Sequence, residues 1–143
     1  MISVALARKL RDAGLRWDPA PGDRFVVADR DMDGEVFTIS EMTVDVHEFP
    51  SGRVIGFNGT VEWALDSVEA RNSIWLPSEG QLRERLAGTF RRLSLADGRW
   101  TVEIEVAGHP SAYEAHDPTE AYGSALLYLI TGQPPMHPRS SRL

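Results

Sequence analysis

Apolar and polar positions along this chain change period several times, and each change marks an element. Ile2, Leu6, Leu10 and Ala13 recur at helical spacing behind Ser3, a good N-cap, and Gly14 follows as a stop. Asp18 to Asp23 holds two prolines and a glycine and reads as a loop. A strand-rich stretch follows, with Arg24–Ala28 and Glu35–Ser40 on either side of an acidic turn. In Met42–Glu48, Met42, Val44 and Val46 alternate with Thr43, Asp45 and His47, the pattern of a half-wet strand. Phe49 to Gly52 reads as a turn, and Arg53–Phe57 returns. These pieces predict an antiparallel meander. Val61–Val68 fits a helical turn and an irregular strand equally, and Ser73–Pro77 supplies an apolar anchor.

The C-terminal half is more sharply punctuated. Ser78 and Gln81 have capping-box spacing, and the helix they open places Leu82 and Leu86 inward and stops at Gly88. Thr89–Leu95 and Arg99–Ala107 pair across Ala96-Asp97-Gly98, with Trp100, Val102, Ile104 and Val106 inward and Thr101, Glu103 and Glu105 toward water. Ser111–Ala115 adds a short strand. Asp117, Pro118 and Glu120 then stand at the cap, N1 and N3 positions of a last helix, in which Glu120 is expected to reach back to the cap. Its apolar face is Ala121, Tyr122, Ala125, Leu126, Leu129 and Ile130. Gly123 and Ser124 suggest a close backbone approach, and Gly132 ends the helix. The expected fold is α+β: one domain over residues 1–132, an antiparallel sheet with about three helices packed on it, then a flexible proline-rich tail over 133–143.

Composition narrows the function classes. With no cysteine, the 143 residues exclude disulfides, thiolate metal sites and a cysteine nucleophile. A net charge of −6 argues against nucleic acid as a partner. Fourteen of the fifteen basic residues are arginine, which fits a GC-rich genome. Arg8, Lys9 and Arg11 interrupt the N-terminal apolar pattern, so it lacks a signal-peptide core, and no apolar run is long enough for membrane insertion. A cytoplasmic location is the expectation.

Catalytic motifs are missing. The chain has no G-x-S-x-G, Walker lysine loop or G-x-G-x-x-G, so no enzyme and no cofactor are expected. Asp29, Asp31, Asp33 and Gly34 match the start of a calcium loop, but position 12 is Ser40 where a bidentate glutamate belongs. These three aspartates are the candidate metal ligands, weighed against an ordinary acidic turn. His47 could join Asp45 in a metal or acid–base pair, but a polar strand face in water is the favoured reading of both. Arg83, Arg85, Arg91 and Arg92 form the basic cluster, diluted by Glu79 and Glu84. Trp63 and Trp75 flank the unassigned segment and are the candidate partner-binding residues of an exposed aromatic patch.

Several stretches resemble a family. Val4–Trp17, Pro21–Phe25, Arg53–Thr60, Trp63–Asp66, Trp75-Leu76-Pro77 with Gln81-Leu82-Arg83, and Glu120-Ala121-Tyr122 with Ala125-Leu126-Leu127 resemble small actinobacterial proteins labelled "pilus assembly protein CpaE". The layout is more loosely similar to short phage and prophage proteins. The resemblance implies a bacterial cytoplasmic protein and carries over no functional residues; the ATPase motif of the large pilus-assembly proteins is missing here. The reading is therefore a non-enzymatic interaction or accessory module with a protein partner. A calcium-binding module using Asp29 to Asp33 and a regulator or immunity-type protein are the alternatives. An exposed edge strand of the meander would also permit a homodimer.

Overall fold

A computed structural model describes residues 1–28, 35–39, 44–49, 52–57, 67–69 and 72–132. The class is α+β, as expected, with three α-helices and only antiparallel ladders among the described residues. The strands do not form one sheet. They fall into three three-stranded ladders, and the chain gathers into two compact units, Arg16–Leu76 and Met1–Leu15 together with Pro77–Leu143. Each unit is described by itself.

In the Arg16–Leu76 unit, β1 (Arg24–Val27) pairs with β2 (Phe37–Thr38) on one side and β6 (Ser73–Trp75) on the other. A second ladder joins β3 (Val44–Phe49), β4 (Gly52–Phe57) and β5 (Ser67–Glu69). The expected meander is thus divided after β2: β2 pairs with β1 as expected, the other side of β1 takes Ser73–Trp75, and β3 pairs with β4 in a separate ladder. Burial explains that choice. Phe25, Val26 and Val27 are all buried, and so are Ser73, Ile74 and Trp75, so two apolar runs are covered by pairing with each other. Of the Val61–Val68 segment, Ser67 and Val68 belong to β5, and residues 61–66 lie outside the described residues.

Among the described side chains of this unit, Trp17, Phe25, Phe37 and Trp75 form an aromatic stack. The Trp17 ring lies 6.4 Å from Trp75 with planes 9° apart and 5.4 Å from Phe25, which is 5.5 Å from Phe37. The Trp17 indole N–H donates to Asp23 Oδ2 at 2.9 Å, and the Ala20 N–H donates to the same oxygen at 3.1 Å. Asp23 is buried, so its carboxylate is accommodated by serving as the acceptor that closes the Asp18–Asp23 loop onto the stack.

In the other unit, α1 (Val4–Asp12) begins at Ser3, whose Oγ accepts the Leu6 N–H at 3.2 Å. α2 (Glu79–Leu86) has the expected capping box: Ser78 Oγ accepts from the Gln81 N–H at 3.2 Å and Gln81 Oε1 from the Ser78 N–H at 2.9 Å. The chain leaves α2 one residue earlier than the glycine suggests, through Ala87 at φ +52, and a 3-10 turn over Ala87–Thr89 follows. Strands β7 (Phe90–Ala96), β8 (Arg99–Val106) and β9 (His109–Ala115) make a three-stranded meander. Two two-residue turns connect them, with positive φ at Asp97 and Gly98 and again at Ala107 and Gly108, the type I′ pattern. The second turn was not foreseen, because Ala rather than Asn or Asp stands at its first position.

α3 (Pro118–Thr131) lies on the meander and also touches α1 and α2. Tyr122, Ala121 and Ala125 are fully buried, Leu126 nearly so, against Val102, Ile104 and Tyr113. Phe90 meets Tyr122 at 5.7 Å between ring centroids, and Tyr113 meets Tyr128 at 5.9 Å. The apolar face fades toward the C-terminus: Leu129 is half-buried and Ile130 exposed. Gly123 is where α1 crosses; a Cβ there would lie 2.6 Å from Leu6 Cδ2 and 3.2 Å from Ile2 Cδ1.

Two substitutions test these points in opposite directions. Gly123→Leu should force α1 off α3 and destabilise the protein by about 2 kcal/mol or more, as overpacking does. Ala107→Asn should relieve the left-handed strain and raise stability by about 1 kcal/mol, roughly 3 °C in Tm. Thermal and urea unfolding of both variants would show it; a stabilised Gly123→Leu would contradict the close helix crossing.

Candidate functional site

The β7–β8–β9 meander has two unlike faces. Cross-strand partners share a face, so Leu95–Trp100–Ala115 and Leu93–Val102–Tyr113 lie on the α3 side. Ser94–Thr101–Glu114 and Arg92–Glu103–Ala112 lie on the open side. The open side carries Arg–Glu pairs: Arg92 Nε to Glu103 at 3.3 Å, Arg91 Nε to Glu105 at 3.7 Å, and Arg99 Nε to Glu114 at 3.1 Å. Arg99 also lies 3.3 Å from His116 Nε2. The expectation that Glu103 and Glu105 face outward holds, and arginines from neighbouring strands neutralise them. Ion pairs this exposed contribute little stability; their effect is to keep the face from being a net anionic or cationic site.

The arginine cluster divides. Arg91 and Arg92 belong to the meander, with Arg91 at a bulge between Phe90 and Arg92. Arg83 instead turns to α3, where its Nη1 donates to the Tyr122 hydroxyl at 3.2 Å and its guanidinium lies 6.0 Å from the ring centroid. That hydrogen bond is the main reason its pKa is raised. The four arginines therefore form no common anion pocket.

The two edges of the meander also differ. β9 carries Pro110 opposite Glu105. The two-residue turn closes on the hydrogen-bonded pair Val106–His109, so Pro110 is in the next, non-bonded pair and its nitrogen faces outward. That blunts the β9 edge. On β7 the same alternation starts from Ala96–Arg99 and turns the N–H and C=O groups of Leu93 and Leu95 outward. Among the described residues no strand pairs with that side. Leu95 is 55% exposed, in a strand whose remaining residues are exposed or half-buried. An apolar residue on an open backbone edge is the strongest interaction feature among the described residues. The expected strand Thr89–Leu95 forms one residue later, as Phe90–Ala96, and nothing in the sequence marks it as an edge.

The sequence-derived candidates fare differently. Asp29, Asp31, Asp33 and Trp63 lie outside the described residues. Trp75 is buried in the Trp17 stack, so it presents no exposed patch; its partner is the indole that the Asp23 loop holds over it. His47 lies in β3 opposite Val54. Among the described residues no three His, Asp or Glu side chains gather as a metal site, and no helix is long and apolar enough to cross a membrane.

Asp117 and Glu120 form a further carboxylate pair, which holds two helix starts. Asp117 Oδ1 accepts the Thr119 N–H at 2.8 Å and the Thr119 hydroxyl at 2.5 Å, while Oδ2 meets the Met1 ammonium at 3.3 Å. Glu120 does not reach back to its own cap. It accepts the Ser3 N–H at 2.6 Å and the Ser3 hydroxyl at 3.3 Å, tying the start of α1 to the start of α3. The Thr119 hydroxyl is the chief cause of the lowered pKa of Asp117, its backbone N–H and the Met1 ammonium adding to it.

No family model, no curated protein and no solved structure matches the chain.

Because the folded-state pKa of Asp117 lies below its ordinary 3.8, its contribution is complete above that value and disappears as pH falls through the lowered one. Asp117→Ala should therefore cost about 1 kcal/mol near neutral pH, the usual worth of an N-cap, and progressively less as the pH falls below 3.8. Urea unfolding of both proteins across pH 2.5 to 7 measures this. A gap that widens in acid would contradict it.

Proposed function

We propose that this chain is a non-enzymatic protein-interaction module, an accessory protein of the bacterial cytoplasm whose contact surface is the β7 edge. One observation carries the reading: Leu93 and Leu95 turn their backbone hydrogen-bonding groups away from β8, and Leu95 exposes its side chain beside them. An extended segment added there gains main-chain hydrogen bonds from the edge and apolar contact from the leucines. The arginines and glutamates of the open face neutralise one another, which leaves the edge as the surface with unspent binding capacity.

Affinity capture from native lysate, wild type against Leu95→Lys, tests the reading. Leu95 is exposed, so the variant should keep its fold and melt within about 1 °C of wild type, as surface changes do. A stoichiometric protein should be retained by the wild type and reduced at least tenfold with Leu95→Lys. Capture that is indifferent to Leu95→Lys would rule out β7 as the contact surface.

A further inference from the structure

We propose that the partner of the β7 edge is a second copy of this chain, joined by antiparallel pairing of β7 with β7 about a two-fold axis at Ser94. The inference rests on β7 being the contact surface and names what it contacts. A two-fold strand pair must be self-complementary, and the sequence of β7 is so in one register. With Ser94 opposite Ser94 of the second copy, Leu93 stands opposite Leu95 on both sides of the axis. These are the two residues whose N–H and C=O groups point outward, so the register makes its hydrogen bonds where the edge offers them. The leucines meet on the α3 side, where Leu95 is 55% exposed in the single chain.

Charge selects the same register. At the ends of the paired segment Arg91, beside its own Glu105, falls nearest Asp97 of the second copy, and Arg92 comes to Ala96, so no arginine meets an arginine. An axis at Leu93 would instead set Arg91 against Leu95, and an axis at Leu95 would set Asp97 against Leu93. The bulge at Arg91 and the turn at Asp97 limit the pairing to the strand between them. The other edge of the meander, carrying Pro110, does not offer a comparable surface. The two meanders become one six-stranded sheet with α3 of each copy on the same side. A contact of one strand pair falls below the ~1,200 Å² of standard stable interfaces, so the dimer should be weak, with Kd on the order of 10 to 100 μM.

Because the chain has no cysteine, a single introduced thiol reports the register without competition. Ser94 would face Ser94 of the second copy in a non-hydrogen-bonded pair, with Cα atoms ~4.5 Å apart, within disulfide reach. Ala96 of the two copies would be ~13 Å apart along the strands, out of reach. Ser94→Cys and Ala96→Cys, oxidised mildly at ~1 mM, above the expected Kd, are compared on non-reducing gels, and wild type is taken to the same concentration by sedimentation. Expected are a mass approaching twice 15.9 kDa, Ser94→Cys cross-linking at least tenfold faster than Ala96→Cys, and loss of both signals when Leu95→Lys is added with the circular dichroism unchanged. A wild type that stays monomeric, or equal cross-linking at the two positions, overturns the dimer. If a lysate protein is then still lost with Leu95→Lys, the edge keeps its role with a different partner; if none is, both readings fall together.

Discussion

Burial of α3 is the constraint on which the unit containing Met1–Leu15 and Pro77–Leu143 depends. Its central turns have no polar way out: Tyr122 is fully enclosed, and its neighbours are alanine, glycine and leucine. Each enclosed large side chain is worth about 1.5–3 kcal/mol relative to exposure, so a helix this apolar has to be covered on several sides. The meander covers one side and α1 and α2 cover others. Small residues make this feasible, since Gly123 lets Leu6 and Ile2 of the N-terminal segment come within contact of the helix backbone. The polar connections then fall at its margins, with Glu120 holding Ser3 and Arg83 holding the Tyr122 hydroxyl.

Elements governed by local chemistry were legible in the sequence. Ser3, Ser78 and Asp117 each cap the helix they precede, and Asp97-Gly98 forms the turn that those residues favour. What was not legible depends on residues far apart in the chain. Nothing near Phe25 says that its long partner is Trp75, and nothing near Glu120 says that Ser3 is closer than its own cap. Ala87 and Ala107 mislead for another reason: they adopt positive φ angles normally given to glycine or asparagine, so neither alanine marks its own turn.

The candidate surface was hidden similarly. Tryptophan draws attention as an interaction residue, yet Trp75 is core because Trp17 stacks on it and Asp23 fixes the Trp17 indole. The residue that stands out in the structure is Leu95, which the alternation of β7 and β8 alone would place inward. Its exposure comes from its position on a strand at the limit of a narrow sheet, a property of topology rather than of sequence period.

The pairing of Ser3 with Glu120 has a consequence for the order in which the protein is made. As the chain emerges from the ribosome, α1 leaves well before α3, and the helix it packs on is completed only after residue 131. The ladder that joins β1 to β6 can close as soon as Trp75 has appeared, so the Arg16–Leu76 unit has its partners well before α1 does. Synthesis of the residues between α1 and α3 therefore proceeds while Leu6 lacks its cover, and the contacts of α1 with Gly123 and Glu120 form only once α3 has been made.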